Sequence, residues 1–296
     1  MEIKYPYITD QMSNEEYHAD RSALSRSQIK WMEYSPEHFL AHLNDVEPMK
    51  PTKALKMGDA FHCKVLEPDD FDGRFATMPE GLKKPTSAQI KAKDPSERTI
   101  EQISVWNEFE EETKGKTILT SDEMTELDWW SSSVLRNKRF YGLVKRGGLV
   151  ENSIFWQDEE TGIILKCRPD FLAKDAAYII DLKTTECARE YEMQSSIRKY
   201  GYDVQAAMMF DACKALFGKE PESFVIAAVE KSKPFVPAIY NLDPAVLDIG
   251  RYKLRKYLGM IKHCQESDVW NGYGNGAEII DISPAHWEMQ QFEIGE

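Results

Sequence analysis

The sequence predicts an α/β (α+β) domain with a central mixed β-sheet flanked by helices and preceded by an N-terminal helical region. Two observations predict this class: apolar, β-branched runs of strand length cluster within residues 148–242, and helical patterns fill much of the chain on either side. No stretch resembles a long linker, so 296 residues with 42% apolar content favour a single domain over 1–296. We expect a mainly helical part (1–147), a sheet core (148–242) and a closing helix with a tail (243–296).

Capping residues and apolar spacing predict the helices. Ser25 can cap a short helix whose capping box is closed by Gln28, and Thr120 or Ser121 can cap a later one. The stretch Gly81–Thr99 carries lysines and prolines with little apolar periodicity, which predicts a flexible loop. The main helices are predicted at about Thr52–Leu66, Ile100–Thr113, Asp122–Asn137, Glu190–Phe217 and Pro244–Gln265.

The strongest strand pattern is a β-hairpin. Residues 163–172 and 178–184 are apolar and β-branched, and 173–177 form a plausible turn between them. A turn that folds near its middle places Leu172 opposite Tyr178. Two further strands are predicted at Phe224–Glu230 and Pro237–Leu242.

Two aspartates meet at this hairpin. In the predicted register Asp170 lies beside Ile180 and Asp181 of the neighbouring strand, and strand alternation points Asp181 and Lys183 to one face. Two carboxylates with a neighbouring lysine suit Mg²⁺, a hard ion that takes oxygen ligands. The lysine can hold an attacking water or help to deprotonate it. A buried acid beside apolar residues would cost free energy unless a cation compensates it.

A segment before the hairpin adds a third acid. Residues 150–157 form a predicted strand that is joined to the hairpin through a turn-rich stretch. Pairing Gln157 with Ile163 places Glu151 opposite Pro169, at the same end of the sheet as the two aspartates. A register shift of one residue would move any of these side chains to the other face, so their convergence is a hypothesis.

The triplets Arg168-Pro169-Asp170 and Asp181-Leu182-Lys183 together resemble the metal-site motif of the PD-(D/E)xK nuclease superfamily. Because so short a motif occurs by chance in many chains, the order and spacing of other segments carry more weight. They resemble the nuclease domain of RecE-type (exonuclease VIII) phage recombination exonucleases, from about Tyr17 to Trp287. The segments concerned are Leu24–Lys30, Ser35–Phe39, Met57–Pro68, Tyr202–Ala207, Trp270–Tyr273, Pro284 and Trp287.

The resemblance implies a restriction-endonuclease-like PD-(D/E)xK core and a processive exonuclease that enters at a duplex end. Such enzymes degrade one strand of linear double-stranded DNA 5′ to 3′ with Mg²⁺, for which Mn²⁺ can substitute. They leave a 3′ single strand for homologous recombination by single-strand annealing. The resemblance also implies a ring-shaped homo-oligomer, with a tetramer as the expected form, and a single-strand annealing protein as partner.

The resemblance assigns roles to particular residues. Asp170, Asp181 and Lys183 match the catalytic core of the superfamily. The histidine of Gly58-x-x-x-His62 matches a metal-proximal histidine, and Gln205 matches a catalytic-site glutamine of the helix that follows the core.

We predict that the two aspartates and the Leu182 backbone carbonyl hold Mg²⁺, with His62 or Glu151 completing the set of ligands. Simpler interpretations exist for three of the site residues. His62 could be an ordinary core histidine, Glu151 a solvent-exposed strand residue, and Gln205 a cap on a polar gap in the core. One departure from the pattern is Met209, which stands where related nucleases often have a tyrosine.

The net charge of −13 is unexpected for a DNA-binding protein, because duplex binding relies on Lys and Arg displacing counterions from phosphates. A ring with a basic lumen and an acidic exterior would reconcile the two, with the Gly81–Thr99 loop as a further DNA contact. Solvated helix faces are the alternative interpretation of the basic clusters. The clusters are Arg136, Lys138, Arg139, Lys145 and Arg146, and Arg251, Lys253, Arg255, Lys256 and Lys262.

The sequence contains no apolar leader pattern and no apolar run of membrane-spanning length, which predicts a cytoplasmic protein without membrane association. Its five cysteines show no C-x-x-C spacing, which argues against a zinc ribbon, a disulfide framework or an iron–sulfur cluster. We expect free, mostly buried thiols.

Three other functions remain open at this level. The chain could be a lambda-type or RecB-like nuclease of different polarity, or a catalytically inactive DNA-binding recombination protein that keeps the fold. It could also be an acidic globular protein without a DNA role. End-labelled DNA substrates would separate the first from a RecE-type enzyme, and a binding test at low salt would separate the last.

Overall fold

The computed structural model describes residues 4–45, 52–285 and 288–290. Trp287 and most of the C-terminal tail therefore lie outside the described residues. The strands are β1 (Tyr7–Thr9), β2 (Phe75–Thr77), β3 (Thr117–Leu119), β4 (Gly148–Val150), β5 (Ser153–Gln157), β6 (Ile164–Cys167), β7 (Phe171–Ala173), β8 (Tyr178–Thr185), β9 (Ser223–Glu230) and β10 (Pro237–Asn241).

Strands β1, β2 and β3 have no counterpart in the sequence prediction. The helices of the described residues lie between and beyond the strands. They are α1 (Asn14–Ala19), α2 (Arg26–Ile29), α3 (Pro36–Asn44), α4 (Lys53–Leu66), α5 (Phe71–Arg74), α6 (Ser87–Ile90), α7 (Glu97–Glu112), α8 (Ser121–Leu135), α9 (Lys138–Lys145), α10 (Glu190–Tyr200), α11 (Tyr202–Phe217) and α12 (Pro244–Ser267). Short 3-10 turns cover Lys30–Glu33 and Tyr273–Gly276.

A five-stranded sheet in the order β10-β9-β8-β7-β4 forms the centre of the fold. Strands β8 and β9 pair in parallel, whereas β10–β9, β7–β8 and β4–β7 pair antiparallel. Parallel neighbours need a crossover connection, which α10 and α11 supply between β8 and β9. The predicted central mixed sheet flanked by helices is confirmed.

Strand alternation sends side chains of the sheet into two hydrophobic cores. Ile179 and Ile226 pack with α11, α12, β5 and β6 on one face. Ile180, Leu182 and Ala227 pack with α4 and α8 on the other. Both faces of β8 are covered, so any polar side chain on this strand lies among packed neighbours and needs partners.

The hairpin register differs by one residue from the expectation. Leu172 pairs with Ile179 and not with Tyr178, and Gln157 pairs with Ile164 and not with Ile163. Within the turn, Ala176 has a left-handed conformation at φ 54°. A turn of this kind is set by local backbone geometry, which the strand pattern does not report.

The predicted strand 150–157 is also wrong in its continuity. The chain bends at Glu151, so that β4 joins the central sheet while β5 joins a three-stranded sheet in the order β1-β5-β6. The strand that pairs with this segment is interrupted at the same place, between β6 and β7. Glu151 consequently does not face Pro169; its backbone N–H donates to the Asp170 carbonyl oxygen at 3.2 Å.

The predicted helices occur, with two differences. The long helix expected at 190–217 is two helices, because Gly201 adopts a left-handed conformation with φ 63° between α10 and α11. The predicted loop Gly81–Thr99 contains the short helix α6 and the first turn of α7. The capping boxes of Ser25 with Gln28 and Thr120 with Glu123 are both present.

All five cysteines are free, and four of them are buried, as expected. In the described parts of the chain, no helix combines the length and the apolar character that crossing a membrane would require.

Candidate metal-dependent active site

The bend at Glu151 brings two acids together. Glu151 has φ 52°, a left-handed conformation that costs a non-glycine residue about 1–2 kcal/mol. The bonded backbones of Glu151 and Asp170 hold both residues at the point where β4 and β7 leave the central sheet. Backbone strain of this kind persists where the surrounding structure enforces it and is concentrated at functional sites.

His62 of α4 lies between these acids and strand β8. Its Nδ1 is 3.2 Å from Glu151 Oε1, and its Nε2 is 3.2 Å from the Leu182 carbonyl oxygen. The same Nε2 lies 3.6 Å from Asp170 Oδ2. One turn earlier, Gly58 has no atom within 4 Å of where a Cβ would stand, which leaves that side of the histidine open.

Asp170 is anchored to β8 by its side chain. The Leu182 backbone N–H donates to Asp170 Oδ2 at 2.6 Å. This bond satisfies one carboxylate oxygen and fixes the position of Leu182, the residue between Asp181 and Lys183. Both backbone groups of Leu182 thus take part, since its carbonyl oxygen accepts from His62.

Asp181 has no solvent exposure and is held from two sides. The side-chain amide of Gln205, from α11, donates to Asp181 Oδ1 at 2.8 Å. Lys183 Nζ lies 2.6 Å from Asp181 Oδ2, but Oδ2 forms no hydrogen bond of acceptable geometry with any described residue. The ammonium group of Lys183 is also 5.3 Å from the centre of the Tyr202 ring.

Burial and mutual charge govern the ionisation of this group. Burial raises the pKa of the Asp170 and Asp181 carboxyl groups, against the opposite effects of His62 and Lys183. Burial disfavours protonation of His62, yet Asp170 and Glu151 raise its pKa to about 9. Burial likewise disfavours charge on Lys183, but Asp181 and Asp170 raise the pKa of its ammonium group. These two acids thus favour the ammonium form of Lys183 in the metal-free protein.

The donor set fits a hard divalent cation. One ligand atom each from His62, Glu151 and Asp170 lies within 4.8 Å of the other two. Asp181 Oδ2, buried without a hydrogen bond, is a further oxygen that a cation would satisfy. Carboxylate oxygens with one imidazole suit Mg²⁺ or Mn²⁺ better than a soft metal.

Every residue predicted for the site lies in this one region. His62, Glu151 and Asp170 form one part, Asp181, Lys183 and Gln205 form the other, and Leu182 links them. Met209 is buried in the core, where it packs as an apolar residue. The ring that covers Lys183 belongs instead to Tyr202, seven residues earlier, which the sequence singled out only as part of a longer motif.

The two predicted basic clusters differ in their environment. In α12, Arg251 pairs with Glu220, Lys253 with Asp203, and Arg255 with Asp158, so these cations hold α12 against its neighbours. The cluster around α9 is exposed, and none of its five basic side chains forms an ion pair with a described residue. Three cations of the α12 cluster are therefore engaged in intramolecular ion pairs, whereas the exposed α9 cluster agrees with either a DNA-facing surface or a solvated helix face.

Comparison with known proteins agrees with this geometry. A family model described as a PDDEXK-like domain of unknown function (DUF3799) matches residues 25–282. A crystal structure from Eubacterium rectale that carries the name "Putative exonuclease" aligns with 95% of this chain and 98% of its own. Its TM-score is 0.60 at 13% sequence identity, which indicates a shared fold.

A second solved structure, of SSO0001, aligns with 68% of this chain and 86% of its own at 12% identity. Its TM-score is 0.26, which is too low to indicate a shared fold. No curated protein matches the sequence.

Proposed function

From the premise that this chain belongs to the PDDEXK-like family DUF3799 and has its fold, we propose that it is a divalent-metal-dependent exodeoxyribonuclease. The proposed substrate is linear double-stranded DNA, degraded 5′ to 3′ to leave 3′ single-stranded overhangs. The observation that carries the proposal is the meeting of Asp170, Asp181 and Lys183 with His62 and Glu151 in one region.

In this proposal Asp170, Asp181 and the Leu182 carbonyl hold Mg²⁺, or Mn²⁺ in its place, and His62 and Glu151 complete the ligand set. The bound ion would lower the pKa of a coordinated water and neutralise charge on the phosphate. Asp170 can act from a fixed position because the Leu182 N–H already orients its carboxylate. His62 must be neutral to act as a ligand, so it would have to lose its proton for a cation to be held there.

The remaining residues orient the reactants. Lys183, as an ammonium ion, donates hydrogen bonds to the attacking water or to a phosphate oxygen that gains charge. Asp181 and the Tyr202 ring fix the position of that ammonium group. Gln205 holds the Asp181 carboxylate in one orientation through Oδ1, which leaves Oδ2 to face the cation and Lys183.

The polarity, the ring-shaped homo-oligomer of four chains and the single-strand annealing partner belong to the same proposal. They are supported by the RecE-type resemblance in the order of the sequence segments. The exposed, unpaired basic surface around α9 supports a DNA-facing side on a molecule whose net charge is −13. A molar mass measured by light scattering in solution would test the tetramer.

Digestion of linear duplex labelled at the 5′ or the 3′ end tests the activity. We expect release of the 5′ label in Mg²⁺, no digestion in EDTA, and no digestion of closed circular DNA. Asp181→Asn should abolish digestion, whereas Asp175→Asn should not, because among the described residues Asp175 accepts a hydrogen bond only from the Ala177 N–H in the β7–β8 turn.

Release of the 3′ label would contradict the polarity and favour a nuclease of the opposite direction. Full Mg²⁺-dependent digestion by Asp181→Asn would contradict the site itself. Binding to duplex ends without any digestion would favour a non-catalytic DNA-binding protein.

A further inference from the structure

Arg26 places a guanidinium group beside the candidate site. It is the first residue of α2 and follows the cap residue Ser25. Its Nη2 lies 2.6 Å from the position that a Cβ of residue 201 would occupy. Because residue 201 is glycine, the guanidinium can rest against the backbone that joins α10 to α11, next to Tyr202.

This guanidinium has no partner in the described parts of the chain. Its Nε is buried without a hydrogen bond, and none of its nitrogens forms an ion pair with a described residue. Three acids act on it electrostatically, Asp203, the exposed Glu33 and Asp181, and none of them forms an ion pair with it. Asp203 pairs with Lys253 at 2.7 Å, and Asp181 pairs with Lys183.

An unpaired cation that is partly removed from water costs free energy, and this cost is offset when an anion binds. Burial lowers the pKa of Arg26, because the neighbouring groups do not fully replace the water that stabilises its charge. A guanidinium remains charged in proteins even so. The flat fork of an arginine matches a phosphate, to which it can donate two parallel hydrogen bonds.

The position of Arg26 relative to Lys183 indicates which DNA phosphate the guanidinium would contact. The Tyr202 ring lies 5.3 Å from the Lys183 ammonium group, while Arg26 rests against Gly201 and interacts electrostatically with Tyr202, so both cations neighbour the start of α11. Lys183 belongs to the group that acts on the scissile phosphate. Among the described residues Lys183 pairs with Asp181 whereas Arg26 forms no ion pair, so the guanidinium is available to a second phosphate of the same strand.

We propose that Arg26 binds a backbone phosphate of the DNA strand next to the scissile one and so holds the strand in register with the candidate site. This inference rests on the proposed nuclease function and adds a strand-positioning residue to it. Arg26 takes no part in bond cleavage.

The test measures binding of a fluorescent duplex end with Ca²⁺ in place of Mg²⁺ over a range of salt concentrations. We expect Arg26→Gln to weaken binding by about tenfold or more, since a charge-assisted hydrogen bond is lost. The slope of log affinity against log salt should fall by about one, as for any lost phosphate contact. Arg26→Lys should retain the slope and lose only part of the affinity.

Arg251→Gln is the matched control, because it removes the same charge from a side chain that is paired with Glu220. Its salt slope should equal that of the wild type. In steady-state digestion Arg26→Gln should raise KM more than it lowers kcat, because the contact exists in both the ground state and the transition state.

The melting temperature measured without DNA distinguishes a DNA-positioning role of Arg26 from a structural role. Removing an unpaired, partly buried cation should leave the melting temperature of Arg26→Gln unchanged or higher. If Arg26→Gln lowered the melting temperature and left affinity and salt slope at wild-type values, Arg26 would be structural and the inference wrong. The proposed function would stand in that case, provided that wild type digests DNA. A wild type that neither binds nor digests DNA would overturn both.

Discussion

At the scale of single residues, Asp181 has the most demanding position in the protein. It has no solvent exposure, and among the described residues its hydrogen bonding depends on Gln205. The nearest cation, Lys183, lies at 2.6 Å from the oxygen that Gln205 does not contact. Losing that amide would free the carboxylate to rotate toward Lys183 and away from a bound ion.

Gln205→Ala is therefore expected to lower kcat for duplex digestion by about tenfold, by analogy with other residues that orient metal ligands. Folding should be retained, because the side chain is only half-buried. The measurement is single-turnover digestion at saturating Mg²⁺. Gln194→Ala on α10 is the control, because in the described part of the chain the Gln194 side chain bonds only Glu190 of its own helix. Equal rates for the two variants would assign Gln205 to packing alone.

The raised pKa of His62 predicts that the stability of the metal-free protein depends on pH. The pKa of His62 in the folded chain is about 9 against an ordinary 6.5, so the folded state holds this proton more tightly than the unfolded state. The stabilisation is complete below pH 6.5 and is lost as pH rises through about 9. Over that range the wild type should lose up to about 3 kcal/mol of unfolding free energy relative to His62→Asn.

Urea unfolding in EDTA at several pH values measures this difference. Parallel curves for wild type and His62→Asn would mean that the carboxylates around His62 do not hold its proton. Metal affinity should rise over the same pH range, because a histidine ligand must first lose that proton.

At the scale of elements, the bend between β4 and β5 and the break between α10 and α11 shape the site. Neither could be predicted. A left-handed glutamate is rare, and the strand pattern around Glu151 is continuous, so nothing in the sequence marks the bend. Gly201 does carry a signal, since glycine favours left-handed backbone, but one glycine in a helical pattern is often tolerated.

The break at Gly201 yields a prediction with a matched control. Gly201 and Gly218 both have positive φ, 63° and 71°, but only a Cβ at residue 201 would meet Arg26. Both alanine variants should lose about 1–2 kcal/mol of stability from backbone strain. Gly201→Ala should additionally displace the guanidinium and reduce DNA affinity and salt slope as Arg26→Gln does.

Binding measured for Gly201→Ala, Gly218→Ala and the double variant Gly201→Ala/Arg26→Gln checks this. The double variant should bind no more weakly than Arg26→Gln, since both changes act on one contact. Additive losses would show that Gly201 affects binding by another route.

At the scale of the whole molecule, burial determines which thiols can react. Burial raises the pKa of Cys63 to about 11 and that of Cys213 to about 12, and Cys167 and Cys264 shift in the same direction. Cys187 is the partly exposed cysteine. We expect one fast-reacting thiol in the native protein, and its loss in Cys187→Ser, when a thiol-specific chromogenic reagent is added.

Four slow thiols that become reactive only in denaturant would agree with this packing. Fast reaction of a second thiol in the native protein would indicate that one of the two cores is less well packed than described.

The sequence by itself determined the class of fold, because apolar periodicity and helix capping depend on residues that are close to one another in the sequence. It also identified Asp170, Asp181 and Lys183 as candidates, since strand alternation relates the last two residues directly. Only the tertiary structure decided the hairpin register and the bend at Glu151. It also decided the approach to Glu151 of His62, which lies on a helix and is 89 residues earlier in the chain. These depend on packing between distant segments and on a strained backbone, whose energies arise only when the chain is folded.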